Sequence, residues 1–442
     1  MQTLRSTANL ILQNHCHGRP NCSGPWIRVA ATHLNTFRDD DSAVPRGPKD
    51  PFVGFFVSML NFRATIPPSP TVAMNALALQ KKAQGERVFN LSAGEPMIAP
   101  HPAIVQAAEA ALRAGKTLYT PAAGIPELRA AVSGWLQQNY QANYSADEIL
   151  ITAGGKFGLY ALCRTLLTAG DEAIVIAPYW VSYSSLTEMT GARVYTINTQ
   201  EQSGWKVTPA QLSTAITQNT RIIFFNNAGN PTGALYTRDE LHALVAVAHE
   251  RGVLFVSDEV YSGLTYDREF TSAGSFPEFR DNVVLIQSCS KHFAMTGWRV
   301  GVVVADKNLI KVLADWQSQS TTGTATISQW AAVAAFTNSE VNQNVRAEMQ
   351  IRRNTLVQAL NQNFSLQLTP PAAGLYVFLP MAALGVTETD SFAFCTRILN
   401  EASVAMIPGA PFGAEGYVRL SFVAEPSELQ AAVQVLAKYL KK

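Results

Sequence analysis

Val283-Val-Leu-Ile-Gln287 is a short run of aliphatic residues that leads straight into Ser288-Cys-Ser-Lys291-His-Phe-Ala-Met-Thr-Gly-Trp-Arg299. An apolar run of this length, closed by turn-forming residues, reads as a strand buried on both faces. Residues 149–152, 172–177, 221–225 and 253–257 have the same form. Between and around them, residues 102–114, 125–139, 157–167 and 238–250 have the character of helices. Strand and helix signals in alternation, with Gly, Pro and Asn between them, define an α/β fold on a largely parallel sheet. Ligands of such sheets sit beyond the carboxyl ends of the strands, so the chemistry is sought in the residues just after each run.

After residue 287 come two serines, a lysine and an arginine within twelve residues. A lysine among apolar groups and other cations loses its proton readily and becomes a Schiff-base nucleophile, the role open to Lys291. Ser288, Ser290 and Arg299 can together hold a phosphate dianion. Val256-Ser-Asp258-Glu-Val-Tyr261 ends another strand with an acid and a phenol three residues apart. An aspartate there can pair with a pyridinium nitrogen, the tuning a protein gives to pyridoxal phosphate, with Tyr261 donating to the ring's phenolate oxygen. Asn226-Asn-Ala-Gly-Asn230-Pro-Thr-Gly233 is a third strand-end loop, and Asn230-Pro231 a candidate cis bond that aims Asn230 at the same oxygen. Gly154-Gly155-Lys156 leads into the helix of residues 157–167, whose first amides can cradle phosphate. Trp180, after the strand of residues 172–177, can lie on a flat ring. Arg419 interrupts the apolar run Val418-Arg-Leu-Ser-Phe422, where burial demands an anion, either a structural carboxylate or that of a substrate.

Composition narrows the classes. The chain has 442 residues, 47% hydrophobic and 15% charged, with a formal net charge of +1. That is enough for a large core and two domains, and it gives no sustained field for nucleic acid or an anionic membrane surface. No apolar run nears the roughly 20 residues of a membrane span. Cys16, Cys22, Cys163, Cys289 and Cys395 are odd in number and lack metal-ligand spacing, so a reducing compartment is expected and no metal site. Residues 1–58 show no helix or strand period. They read as an upstream extension, disordered or not native, with an organellar transit peptide as the alternative because residues 1–38 carry arginine but no acid. A cytoplasmic enzyme is the expectation.

The motifs, in order, resemble the class I, fold-type-I pyridoxal-phosphate aminotransferases, nearest the bacterial gamma-subgroup aspartate aminotransferases. The resemblance runs from about Pro67 to the C-terminus. It rests on Pro68-Ser-Pro-Thr71-Val-Ala-Met-Asn75, Ser92-Ala-Gly94-Glu-Pro96, Tyr119-Thr-Pro-Ala-Ala-Gly-Ile-Pro-Glu-Leu-Arg129 and the Gly-Gly-Lys turn. Pro178-Tyr-Trp180, Asn230-Pro-Thr-Gly233, Ser-Asp258-Glu-Val-Tyr261, Ser-Lys291 with Met-Thr-Gly-Trp-Arg299, and Val-Arg419-Leu-Ser complete it. It implies a large domain on a mostly parallel seven-stranded sheet flanked by helices. A smaller α/β domain comes from the N- and C-terminal segments, giving boundaries at 59–100, 101–325 and 326–442. It also implies pyridoxal 5′-phosphate held by Lys291, with Asp258 at the ring nitrogen, Tyr261 and Asn230 at the phenolate oxygen and Trp180 stacked. Gly155, Lys156, Ser288 and Arg299 surround the phosphate in this picture, and Gly94 and Arg419 hold the substrate carboxylate. Tyr119 resembles the residue that reaches the neighbouring subunit's phosphate, which implies a homodimer with shared active sites.

Lys156 and Thr71 resemble the gamma-subgroup residues near the distal carboxylate, so L-aspartate and L-glutamate with their 2-oxo acids are the expected substrates. Aromatic amino acids or prephenate, and C–S β-elimination on the same scaffold, are the alternatives. A regulatory domain without turnover would need a DNA-binding segment, and residues 1–58 show no such pattern. Two positions depart from the family: Gly229 stands where a second Asn is common, and Leu375-Tyr376 replaces an aromatic pair. Neither is expected to touch a proposed catalytic atom.

Overall fold

The computed structural model describes residues 69–441, with the side chain of Thr71 outside that description. Residues 1–58, read above as an extension, therefore lie outside the described residues, as do 59–68. Twelve strands occur in the described part. In chain order, β1 is Phe89–Asn90, β2 Ile149–Thr152, β3 Glu172–Ala177, β4 Arg193–Asn198, β5 Thr220–Asn226 and β6 Leu254–Asp258. They are followed by β7 Val283–Ser288, β8 Gly301–Val304, β9 Tyr376–Pro380, β10 Val404–Ala405, β11 Ile407–Pro408 and β12 Tyr417–Ser421.

Seven strands form one sheet in the order β2-β8-β7-β6-β5-β3-β4. Every neighbouring pair is parallel except those made by β8, which runs against both β2 and β7. Side chains of a strand alternate between faces, and in this sheet both faces are covered. Ile223, Phe225, Phe255 and Leu285 enter one apolar core. Their chain neighbours Ile222, Phe224, Val256 and Ile286 enter another on the opposite face. This two-sided burial is why the strands read in sequence as unbroken apolar runs rather than as alternations.

The helices that cover the faces begin where local chemistry dictates. Arg238–Glu250 opens with a capping box: the Thr237 hydroxyl accepts from Glu240 N at 3.3 Å, and Thr237 N donates to the Glu240 carboxylate at 2.8 Å. Pro102–Arg113 and Pro126–Tyr140 begin on proline, whose fixed φ suits the first turn. The first ends one residue before the expected 114, and the second is shifted by one residue at both ends from the expected 125–139. The helix expected over residues 157–167 instead spans Gly155–Leu166, so Gly155 and Lys156 belong to its first turn.

A second layer draws on both ends of the described chain. β1 pairs in parallel with β10, joining Phe89 to Val404 across the sequence. β11-β12-β9 is a small antiparallel sheet, and its core includes Met74 and Leu91 together with Leu420 and Leu436. This agrees with the expected smaller α/β part built from N- and C-terminal segments. Among the described residues no helix is long and apolar enough to cross a membrane.

Candidate active site

The strand order reverses between β3 and β5: β4 lies outside β3, whereas β6 and β7 extend from β5 in the other direction. Such a switch point opens a crevice at the carboxyl ends of the strands. A cavity of about 380 Å³ lies there. Twelve of the fourteen residues singled out from the sequence line it: Lys291; Asp258, Tyr261 and Trp180; Gly155, Lys156, Ser288, Ser290 and Arg299; Gly94, Asn230 and Arg419. Tyr119 does not, and is 92% exposed on the surface. Thr71 lies on the helix Pro70–Ala83, with its side chain outside the described residues.

Lys291 sits on the connection from β7 to β8, whose antiparallel return brings Arg299 back beside the glycine turn after β2. The approach is close: a Cβ on Gly301 would fall 2.2 Å from the Gly154 carbonyl carbon, and one on Gly154 would meet the Arg299 guanidinium at 2.3 Å. Gly154 also has φ +85°, which L side chains rarely adopt. The Ser288 hydroxyl lies 2.9 Å from that of Ser290 and accepts from Ser290 N at 3.1 Å. Two hydroxyls, a guanidinium and the start of a twelve-residue helix thus converge as a phosphate-sized anion requires.

The Lys291 ammonium donates to the Gly94 carbonyl. Burial, opposed by Tyr376 and Glu95 and reinforced by the cations Arg419 and Arg299, lowers its pKa below that of an ordinary lysine. A larger neutral fraction at physiological pH is what a nucleophilic amine needs. Lys156 is lowered too, by desolvation and then by Arg299 and Lys291, and its ammonium lies 4.8 Å from the centre of the Trp180 ring.

Asp258 is 3% exposed, and burial pushes its carboxyl up to about 6 although two donors oppose the rise. The Tyr183 hydroxyl donates at 2.6 Å and Val260 N at 3.3 Å. Asn226 ties the neighbouring strand ends together, donating to the Asp258 carbonyl at 2.8 Å while its own side-chain oxygen accepts from Asn230 N at 2.8 Å. The Asn230-Pro231 bond is cis, as expected, and so is Ala177-Pro178.

Arg419 is 3% exposed. It donates to Asn230 Oδ1 at 3.0 Å and to the Ser92 carbonyl at 3.2 Å, while its Nε is buried without a partner. Among the described residues no carboxylate pairs with it. Arg353, by contrast, is equally buried and pairs with Asp267 at 2.6 Å. The structural salt bridge considered from the sequence is thus absent, and an unpaired guanidinium faces the cavity.

One expectation is corrected. The sequence places Tyr376 away from any catalytic atom, yet its hydroxyl lies 3.2 Å from that of Tyr261 and its ring centre 4.0 Å from the Arg419 guanidinium. The pairing of β9 with β12 brings it there, and no local motif announces it. Tyr183 also escapes sequence reasoning. Its only signal is a place one helical turn after Trp180, and Asp258 is 75 positions away.

The fold and the lysine-centred cavity together define an α/β protein with an enzyme-type cleft at the switch point of its sheet. Residues 86–436 match the family described as class I and II aminotransferases. An aspartate/prephenate aminotransferase of Thermus thermophilus is 37% identical over 377 residues, 84% of this chain and 96% of that protein. An aspartate aminotransferase of Geobacillus stearothermophilus is 36% identical over 385 residues, 86% and 98% of the two chains. Among solved structures, a Thermus thermophilus aspartate aminotransferase with maleate has a TM-score of 0.80 at 37% identity, covering 84% of this chain and 97% of its own. A Thermotoga maritima aspartate aminotransferase has a TM-score of 0.80 at 32% identity, covering 85% and 98%. The chain belongs to the class I and II aminotransferases.

Proposed function

We propose that this protein is a pyridoxal-5′-phosphate-dependent aminotransferase moving the amino group of L-aspartate or L-glutamate to 2-oxoglutarate or oxaloacetate in a ping-pong cycle. The observation that carries the reading is the buried Lys291 amine in a cavity bounded by a phosphate-type cradle, a buried carboxyl and an arginine without an anion. The residues fit the cofactor in their chemistry: the glycines let Arg299 and β8 close against the turn after β2 beside the Ser288 and Ser290 hydroxyls, and the Arg419 Nε lacks a partner that a substrate carboxylate would supply.

When bound, pyridoxal phosphate supplies an electron sink for negative charge at the substrate α-carbon. Lys291 would hold it covalently through Nζ. Gly155, Lys156, Ser288, Ser290 and Arg299 would bind its phosphate, Asp258 its protonated ring nitrogen, Tyr261 and Asn230 its phenolic oxygen, and Trp180 its ring face. Once free, the Lys291 amine would take the proton from the substrate α-carbon as a general base and deliver it to the cofactor's C4′ carbon as a general acid. Arg419 and Gly94 would hold the α-carboxylate, with Lys156 and Thr71 at the distal one.

Dimerisation belongs to the proposal. Tyr119, 92% exposed and outside its own cavity, supports a role across a subunit boundary. The division into an arm at 59–100, a large domain at 101–325 and a small domain at 326–442 is proposed alongside it. A cytoplasmic location is likewise proposed, supported by the free, buried Cys163, Cys289 and Cys395, with an organelle as the alternative if residues 1–58 are a transit peptide.

The test is the near-ultraviolet and visible spectrum of the purified protein, with Lys291→Ala alongside. A cofactor band that changes on adding aspartate, returns with 2-oxoglutarate and does not cycle in the variant is the expected result. A band indifferent to aspartate refutes the substrate assignment, and no band refutes the cofactor. The Thermus thermophilus relative is named for prephenate as well, so prephenate is the second acceptor to assay. Pyruvate and ammonia released from a sulfur amino acid would indicate β-elimination instead.

A further inference from the structure

In the β12–β9 ladder Arg419 is directly opposite Phe378. Tyr376, two residues before Phe378 on the same strand, therefore shares Arg419's face as its diagonal neighbour. The guanidinium lies 4.0 Å from the Tyr376 ring centre, and Phe412 offers a second ring at 5.2 Å. The Tyr376 hydroxyl reaches the Tyr261 hydroxyl at 3.2 Å, both phenols being 3% exposed. Gly94 closes the other side, since a Cβ there would stand 3.0 Å from the Tyr376 hydroxyl.

Resting on the aminotransferase reading above, we infer that Tyr376 is a positioning residue with two separable parts. Its ring seats Arg419 for the substrate carboxylate, and its hydroxyl donates to Tyr261 so that Tyr261's proton points into the cavity. A phenol has one proton to give. Among the described residues Tyr376 is the hydrogen-bond partner of the Tyr261 hydroxyl. If Tyr261 donated to Tyr376, it would have nothing left for a ring oxygen in the cavity. The contact and the proposed role of Tyr261 coexist only with Tyr376 as donor. A donor behind Tyr261 also polarises its O–H further.

The experiment compares the wild-type holoenzyme with Tyr376→Phe and Tyr376→Leu in two readouts, the pH midpoint of the bound-cofactor absorption and the Kd for succinate, a dicarboxylate with no amino group. Tyr376→Phe keeps the ring, so succinate Kd stays within about twofold while the midpoint rises by about half a unit as Tyr261 loses its donor. Tyr376→Leu shows the same rise and also weakens succinate about tenfold, the scale of a desolvated cation–π contact. An unmoved midpoint in Tyr376→Phe overturns the hydroxyl part. Equal succinate affinity in Tyr376→Phe and Tyr376→Leu overturns the ring part. If the leucine variant fails to fold, Tyr376→Met reports the ring part in its place. A wild type lacking a cofactor band, or with a band indifferent to aspartate, refutes the function proposed above. A responsive wild type with unchanged variants refutes only the role of Tyr376.

Discussion

Replacing Arg419 with methionine separates binding from stability, because this guanidinium sits buried without a counter-charge. In the proposed complex it makes two charge-assisted hydrogen bonds to a carboxylate, each worth about 1.5–3 kcal/mol. Losing both costs roughly 3–6 kcal/mol, a fall of about 10²- to 10⁴-fold in kcat/KM for aspartate. The fold should scarcely register the change. Methionine leaves Asn230 Oδ1 and the Ser92 carbonyl without their donor, about 1–3 kcal/mol each, but it relieves the burial of an uncompensated cation, itself several kcal/mol. These opposed terms nearly cancel, so the thermal midpoint of the ligand-free protein should stay within about 4 °C of wild type. The assays are steady-state kinetics with aspartate and 2-oxoglutarate beside a thermal melt. A variant that melts far below wild type while keeping most of its kcat/KM would show that Arg419 is a structural group, and the argument from its unpaired Nε would fail.

Three further outcomes are expected. Lys156→Ala should lower kcat/KM for aspartate about tenfold while leaving an apolar amino acid within about twofold, the contribution of one partly solvated ion contact; equal losses would remove Lys156 from the distal site. Tyr183→Phe strips the hydroxyl that lowers the Asp258 pKa, so kcat should drop about tenfold, with the cofactor band showing weaker ring-nitrogen protonation; unchanged kinetics and spectrum would reject the contact as functional. Asp258 has a folded-state pKa pushed up to about 6 from 3.8, so its contribution to stability is fully present below about 3.8 and is lost as pH rises through 6. Cofactor-free Asp258→Asn should therefore melt above wild type at pH 7 to 8, with the gap closing toward pH 4; a gap independent of pH would contradict the buried, raised carboxyl.

How much of this is legible in the sequence depends on how each feature is encoded. β5, β6 and β7 announce themselves because both faces of the sheet are buried, which leaves continuous apolar runs such as Val283 to Ile286. β8 does not: its four residues follow the Met-Thr-Gly-Trp-Arg segment without a turn signal of their own, and only pairing with β2 and β7 makes them a strand. β4, an edge strand, alternates as Arg193-Val-Tyr-Thr-Ile-Asn and lacks the run that marks its neighbours. At the site, groups at strand ends are visible because the chain stops being apolar there, as at Asp258 and Lys291. Tyr376 and Tyr183 are not, since each acquires its meaning from a residue on another element. The Tyr376 contacts depend on the register that sets Arg419 opposite Phe378, and those of Tyr183 on its ring lying 5.2 Å from Phe224, stacked at 3°, with its hydroxyl reaching Asp258.

The parallel pairing of Phe89–Asn90 with Val404–Ala405, and the bond from Arg419 to the Ser92 carbonyl 327 positions earlier, bear on how the protein is made. A ribosome releases the strands of the large sheet and Lys291 long before it releases β10 and β12. Until those two strands emerge, the early segment bearing Ser92 and Gly94 has the Lys291 ammonium to contact but neither the β10 pairing nor Arg419, so the arginine side of the cavity is missing. On the roles proposed above, turnover therefore waits for β12, and a chain stopped before Arg419 would carry Lys291 without the arginine proposed to hold the substrate carboxylate.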